Sequence, residues 1–323
     1  MSLTSTSDRA VGQSPASDVR SGRVSAAALA ILIATQTPAC SFTRSSRVAP
    51  DPDEVRATEE RAIQFAAGEI RALDHPDFEK DGAGVYFLEP YDTNRIPVLF
   101  IHGIGGTPRD FRQMIESLDR SRFQPWIFHY PTGLRLRTVV RILQSLVDDL
   151  RYKHRFDALF VTAHSVGGLV ARGYVESALN AGDRQFVKLL VTFSSPWEGH
   201  RWAAVGTRYM PSPVPSWFDL SPGSKFLISL REPLQQGGHR IPHYVFFGFQ
   251  RSLSVISSES SDGVISMASQ LPMWVQDQAE RYWGYDVAHT AILSNDEALK
   301  RYEWLLKLEA DRLTCIQCMP TIQ

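Results

Sequence analysis

The feature that most constrains the fold is an apolar run that ends in a turn of small residues around a serine. Residues 158–162 (ALFVT) read as a buried strand, and residues 163–167 (AHSVG) follow without a spacer. A helix is predicted directly behind them, over residues 166–179. A strand that passes into a helix through so tight a turn pushes Ser165 out of the sheet, and only small neighbours tolerate this. The segment therefore predicts an α/β fold with a serine that projects from the sheet at a strand end.

The rest of the chain alternates between strand and helix patterns. Strands are predicted at residues 85–88, 97–101, 125–130, 189–193, 244–249 and 282–285, and helices at residues 109–118, 134–151 and 296–311. This alternation predicts a doubly wound, mostly parallel sheet in one domain, residues 83–312.

The flanks of this domain and one internal stretch have different patterns. Residues 41–82 are predicted as a spacer followed by an amphipathic helix over residues 52–73, because Asp51-Pro52 reads as a helix start. Residues 313–323 are predicted as a C-terminal tail. Residues 196–241 set aromatic side chains among prolines and glycines, and an insertion this long is usually functional.

The position of Ser165 at the start of a helix suits chemistry at a carbonyl group. A helix N-terminus offers unpaired N–H groups and a positive dipole end, both of which stabilise an oxyanion. A serine hydroxyl becomes a useful nucleophile only when a neutral imidazole takes its proton, and a carboxylate orients that imidazole. The alternative is an ordinary serine in a strand-to-helix turn.

The chain resembles the α/β-hydrolase superfamily, in particular its lipase and esterase branch, over roughly residues 83–310. The serine turn carries this resemblance, together with residues 102–106 (HGIGG), which look like the H-G-x-x-G turn after the third strand of these enzymes. The resemblance implies an oxyanion hole made by the backbone N–H groups of Ile104 and Val166. Ala163 departs from the more usual glycine. His164 is interpreted as a packing and hydrogen-bonding residue, not as the base.

The resemblance also implies the acid and the base, since the family's chain order is serine, acid, histidine. Asp262 begins a D-G-V segment like the one that carries the acid in many lipases, and His289 follows the last predicted strand. Asp286 and Glu198 are the rival acids. The other histidines are expected to be structural or to face solvent; they are His75, His129, His154, His200, His239 and His243.

Residues 192–197 (TFSSPW) resemble the segment after the sixth strand of lipases, where a cap or lid is commonly inserted. We therefore expect a cap over residues 196–241, with Trp197, Trp217 and Phe218 lining an apolar acyl-binding cleft. The alternative is that these aromatic side chains pack the insertion onto the sheet.

The first 40 residues carry the pattern of an export signal. An apolar run, residues 24–34, follows two arginines and ends shortly before residues 37–40 (TPAC). The Ala-Cys pair resembles the lipobox of bacterial lipoproteins, in which the cysteine is acylated, although a threonine stands where such motifs usually have leucine. We predict a protein of the bacterial cell envelope, with membrane association through a lipid on Cys40, or a secreted one. The alternative is a tail whose apolar run packs on the domain.

Composition excludes several classes of function. Lys and Arg number 34 against 35 Asp and Glu, so the chain lacks the basic excess of a nucleic-acid binder. No apolar run reaches the roughly 18 residues of a membrane-spanning helix, which excludes a polytopic membrane protein. Three cysteines are too few for a disulfide scaffold, and the C-x-x-C pair at residues 315–318 has no redox context.

The predicted function is that of a serine carboxylic-ester hydrolase acting through an acyl-enzyme on a lipid or small ester. No metal or cofactor is predicted, because this mechanism needs none. An envelope acyltransferase or a phospholipase using the same triad is the alternative. A catalytically silent hydrolase fold that serves as a binding module is a third reading.

Overall fold

The structure, a computed structural model, describes residues 66–74, 83–180, 186–236, 239–250 and 260–318. The predicted export signal, Cys40 and most of the helix predicted over residues 52–73 lie outside these ranges, as does His75, and they stay predictions.

One sheet of eight strands forms the centre of the described chain, in the order β1-β2-β4-β3-β5-β6-β9-β10. Its strands are β1 (Ala66–Ile70), β2 (Gly84–Phe87), β3 (Ile96–Ile101), β4 (Phe123–His129), β5 (Leu159–His164), β6 (Val187–Phe193), β9 (His243–Phe249) and β10 (Arg281–Asp286). Neighbours pair in parallel except β2 and β4, which are antiparallel. A separate hairpin joins β7 (Gln235–Gln236) to β8 (His239–Arg240).

Helices cover both faces of this sheet. They are α1 (Arg112–Glu116), α2 (Leu136–His154), α3 (Val166–Asn180), α4 (Arg201–Tyr209), α5 (Pro215–Leu220), α6 (Lys225–Ser229), α7 (Met267–Gln270), α8 (Met273–Gln278) and α9 (Asp296–Cys318), with short 3-10 turns at Pro108–Phe111 and Ala291–Ser294. Every residue of β5 is buried, which requires cover on both sides of a strand. Helices α1 and α9 share one core cluster with β3, β5, β6 and β9. Helices α2 and α3 pack against each other, and α3 also packs on β5 and β6.

Strand β1 corrects the predicted N-terminal helix. Over Ala66–Ile70 the chain pairs in parallel with β2 at the sheet edge instead of forming a helix. Gly68 has a φ of 75°, a left-handed conformation that a helix interior excludes. The sheet therefore begins before residue 83, the predicted start of the hydrolase domain.

The last helix also differs from its prediction. It continues past residue 311 to Cys318, into the segment predicted as a C-terminal tail. No glycine or proline stands between residues 311 and 318, and Leu313 packs against the core cluster. Cys315 is an exposed free thiol on this helix.

The insertion between β6 and β9 contains helices α4, α5 and α6 and the β7–β8 hairpin. Its action as a lid stays a prediction. None of the helices in the described ranges combines the length and the hydropathy needed to span a membrane.

Candidate active site

Ser165 lies at the turn between β5 and α3 with a φ of 55°, in the left-handed region that a residue with a side chain rarely adopts. Its backbone N–H donates to Phe193 O at 2.8 Å, and Gly168 N–H donates to Ser165 O at 2.9 Å. A Cβ at Gly167 would lie 2.3 Å from Ile101 O. The backbone strain at the serine is therefore held by close packing of the turn against the ends of β3 and β6.

Gly167→Ala is expected to cost about 3 kcal/mol of unfolding free energy, because its Cβ meets backbone carbonyls that cannot rotate away. Gly173→Ala, in the same helix, is the matched control, since the nearest atoms to its Cβ all belong to side chains, with Val140 at 3.0 Å and Leu230 at 3.5 Å. The control should stay within about 1 kcal/mol of wild type. Urea unfolding measures both changes from the shift of the midpoint, provided that the dependence of the unfolding free energy on urea concentration keeps the same slope. Equal stability of the two variants would contradict the packing argument.

The structure brings together three predicted residues that are far apart in sequence. His289 Nδ1 lies 2.6 Å from Asp262 Oδ2, and His289 Nε2 lies 2.9 Å from Ser165 Oγ. A carboxylate only accepts, so the ring proton belongs on Nδ1. Nε2 is then left to accept the serine hydroxyl. The hydrogen bonds thus define one direction of proton transfer, from Ser165 to His289.

Asp262 is buried in a loop that satisfies both of its oxygens. Its Oδ1 accepts from Val264 N–H at 3.0 Å and from Ile265 N–H at 2.7 Å, while Oδ2 faces His289. Burial alone raises the pKa of this carboxyl, but the hydrogen bonds from His289 and the two backbone N–H groups outweigh it and hold the pKa below its ordinary value. Residues 260–266 are called the acid loop below.

The rival acids lie elsewhere. Glu198 accepts from Arg231 at 2.7 Å and from the Trp274 ring N–H at 2.8 Å, and Asp286 is exposed at the end of β10. Within the described ranges, no three His, Cys, Asp or Glu side chains are arranged to hold a metal ion.

His164 packs behind His289. Its ring is buried, lies 4.7 Å from the His289 ring between centroids, and donates through Nε2 to His289 O at 3.1 Å. Burial, assisted by the nearby His289, lowers the pKa of His164 to about 3, so the ring stays neutral at ordinary pH.

We expect stability to fall as the pH drops below about 6.5, partly because of two buried histidines. Burial lowers the pKa of both His164 and His102 to about 3. Between about pH 3 and about pH 6.5 these two histidines bind protons in the unfolded chain but not in the folded one. Each such histidine then contributes a slope of up to about 1.4 kcal/mol per pH unit, with stability rising as pH rises.

Urea unfolding at several pH values measures that slope. His164→Gln should flatten it by about one proton's worth, because glutamine cannot titrate. A slope identical to that of wild type would show that His164 does not contribute to the pH dependence of stability.

Residues 102–106, called the oxyanion loop after their predicted role, lie against the serine. A Cβ at Gly103 would come within 2.8 Å of Ser165 Cβ. Two side chains from the segment after β4 hold this loop: Tyr130 OH donates to His102 O at 2.8 Å, and Gly105 N–H donates to Thr132 Oγ1 at 3.3 Å. The loop carries Ile104. Val166 begins α3, where the first N–H groups have no acceptor within the helix.

The three aromatic residues predicted to line a cleft have different surroundings. Trp197 is completely buried, and its ring stacks edge-on against His243 and Trp274. Trp217 is buried against Gly206 of α4. Both rings therefore pack against other parts of the protein, and a substrate contact stays a prediction for them. Phe218 is 44% exposed, and a substrate contact stays a prediction for it.

Sequence reasoning missed the residues that support the site from outside its motifs. Tyr130 and Thr132 hold the oxyanion loop, as described above. Gln270 is fully buried, donates to Gly248 O and Ile265 O at 3.0 Å each, and so fastens the acid loop to β9. No motif marks such residues, because their role depends on contacts with distant backbone groups.

Comparison with known proteins identifies the fold. No family model and no curated protein matches the chain. Among solved structures, it is similar to the mature lipase BlEst2 of Bacillus licheniformis at 15% identity, covering 69% of this chain and 97% of that one with a TM-score of 0.52. It is also similar to a carboxylesterase structure from Nitrososphaera gargenis at 13% identity (74% and 99% covered, TM-score 0.49). The product of the gene lin2722 of Listeria innocua matches at 17% identity (66% and 94% covered, TM-score 0.47).

At such identities the likeness shows the fold alone. Together with the order of the eight strands, the similarity to the Bacillus enzyme confirms the predicted fold class, an α/β-hydrolase fold with a mostly parallel sheet.

Proposed function

We propose that the chain is a serine hydrolase of carboxylic esters that works through an acyl-enzyme. The observation that carries this proposal is the unbroken hydrogen-bond chain from Asp262 through His289 to Ser165. This chain ends at Ser165, whose backbone has a φ of 55° and which directly precedes the N-terminus of α3. A strained serine with a base and an oriented carboxylate is the arrangement that nucleophilic catalysis requires.

In the proposed first half-reaction, Ser165 Oγ attacks the ester carbonyl carbon while His289 Nε2 takes the hydroxyl proton. The carbonyl oxygen becomes an oxyanion, which the N–H groups of Ile104 and Val166 stabilise. When the tetrahedral intermediate collapses, the bond to the alcohol oxygen breaks and His289 returns the proton to the leaving alcohol. Water then attacks the acyl-enzyme by the same steps and releases the carboxylic acid.

Asp262 keeps His289 in the tautomer that this cycle requires. Because its pKa lies below the ordinary value, the carboxylate stays ionised and can stabilise the imidazolium that forms on His289. Its hydrogen bond to Nδ1 keeps Nε2 free of a proton in the resting enzyme.

We further propose that the insertion forms a cap that lines an apolar acyl-binding cleft. Two hydrogen bonds support this: Ser216 N–H of α5 donates to Gly133 O at 3.0 Å, and His200 Nε2 donates to Val264 O at 3.0 Å. The insertion is therefore tied both to the acid loop and to the segment that supports the oxyanion loop. The exposed ring of Phe218 offers it an apolar contact surface.

The test is hydrolysis of p-nitrophenyl acetate, octanoate and palmitate, together with labelling by a fluorophosphonate probe. We expect turnover and labelling at Ser165, and the preferred acyl chain separates an esterase from a lipase. Product analysis with added alcohols detects acyl transfer, and a phospholipid substrate tests for a phospholipase. Absence of both turnover and labelling would overturn the proposal.

A further inference from the structure

We propose that His200 is a positioning residue of the triad, which holds Asp262 in place through the peptide of Val264. This inference rests on the proposed function. His200 is the residue just before α4, and the sequence patterns assign it no role beyond structure or solvent exposure.

The two partners of the His200 ring determine its tautomer. Nδ1 lies 3.2 Å from Trp202 N, and a backbone N–H can only donate, so Nδ1 accepts as the cap of α4. Nε2 lies 3.0 Å from Val264 O, and a carbonyl can only accept, so Nε2 carries the ring proton. Both contacts therefore require the neutral ring with its hydrogen on Nε2. Burial, with a smaller contribution from His289, lowers the pKa of His200 and favours this neutral form.

Val264 links this ring to the acid. Its carbonyl accepts from His200 and belongs to the same peptide unit as the Ile265 N–H, which donates to Asp262 Oδ1 at 2.7 Å. Its own N–H, in the preceding peptide unit, donates to the same oxygen at 3.0 Å. Its own side chain is 41% exposed, so packing holds it weakly, and Gly263 before it has a φ of 91° that leaves the backbone easy to rotate. The hydrogen bond from His200 is thus a specific tether on the peptide that orients the carboxylate.

The tether connects two parts of the molecule that are otherwise separate in sequence. On one side is the first turn of α4 in the insertion, and on the other is the loop of the triad acid. Any displacement of α4 is transmitted through His200 to Val264 and so to the Asp262 carboxylate. We expect loss of the tether to lower kcat about tenfold with little change in KM, because the acid would be misplaced without loss of substrate contacts.

Two substitutions separate the tether from the helix cap. His200→Asn retains an oxygen close to the position of Nδ1, where it can still cap α4, but its side chain is too short to reach Val264 O. His200→Gln extends an amide N–H toward the position of Nε2 and can restore the tether. His200→Ala removes both contacts.

The experiment measures kcat, KM and the melting temperature of the wild type and the three variants. We expect His200→Asn to melt close to wild type with a reduced kcat, and His200→Gln to recover most of the wild-type kcat. His200→Asn with wild-type kcat would overturn the inference. So would equal kcat losses in the asparagine and glutamine variants, since the loss would then be independent of the Nε2 contact.

A second readout does not depend on turnover. The proton on His289 Nδ1, hydrogen-bonded to Asp262, gives a low-field proton NMR resonance. Its loss or broadening in His200→Asn, with retention in His200→Gln, supports the tether. An unchanged resonance in His200→Asn overturns it. Absence of turnover and labelling in the wild type overturns the proposed function alone, because this resonance still decides the role of His200.

Discussion

Ser165→Ala is expected to lower kcat for ester hydrolysis by about 10⁶-fold while the protein stays folded. The change removes one oxygen from a nearly buried side chain and leaves the strained turn between β5 and α3 otherwise as it is. Without that oxygen no acyl-enzyme forms, and only general stabilisation of the substrate in the site remains. Ester hydrolysis under saturating substrate measures the effect, and mass spectrometry after fluorophosphonate treatment shows whether labelling is lost with it.

Ser194→Ala is the matched control. Ser194 follows β6 with a φ of 48°, so it shares the unusual backbone conformation, and its buried Oγ has no hydrogen-bond partner among the described residues. The same chemical change should therefore leave kcat near wild type. Comparable losses in both serine variants would contradict Ser165 as the specific nucleophile.

Substitutions of residues that act as one catalytic unit should also have strongly non-additive effects on kcat. His289→Ala alone is expected to cost about as much as Ser165→Ala, and the double variant should lose little more. Losses that multiply in the double variant would show that the two side chains do not share one proton-transfer step.

Asp262→Asn is expected to lower kcat about 10⁴-fold with only a small change in fold stability. The asparagine oxygen can still accept from the Val264 and Ile265 N–H groups, which then turns the amide N–H₂ toward His289. Facing a donor, Nδ1 must give up its proton, and the ring hydrogen moves to Nε2. In that tautomer His289 cannot accept the proton of Ser165, so the nucleophile is not activated.

Asp286→Asn tests the rival acid under the same chemistry. Asp286 stands three positions before His289 in sequence, yet it is exposed at the end of β10 while Asp262 occupies His289 Nδ1. We expect Asp286→Asn to retain most of the activity. The reverse pattern, with loss in Asp286→Asn and activity in Asp262→Asn, would assign the acid to Asp286 and contradict the observed geometry.

The residues that the sequence singled out for the candidate site were inferred from short stretches of backbone or from chain order. The run from residue 158 to 167 contains its own strand, turn and helix start, so the tight turn at Ser165 could be inferred locally, whereas the burial of its side chain depends on the surrounding loops. Asp262 and His289 came from the resemblance to the hydrolase family, and the structure brings both to Ser165. Helical periodicity misled over residues 66–70, because the sheet edge at β2 offered hydrogen bonds that no local pattern encodes.

Spacing of apolar residues and the conformational demands of glycine act within a few positions, and they determined the alternating elements, the parallel sheet and the turn at Ser165. The contacts that make a site of that turn join residues much farther apart: 124 positions separate Ser165 from His289, and 64 separate His200 from Val264. Such contacts depend on how distant elements pack. From the sequence alone, a side chain like His200 or Gln270 could bind any of many backbone acceptors. Only the tertiary structure decided which of them it binds, because a hydrogen bond requires a donor and an acceptor about 3 Å apart, and chain order does not specify that distance.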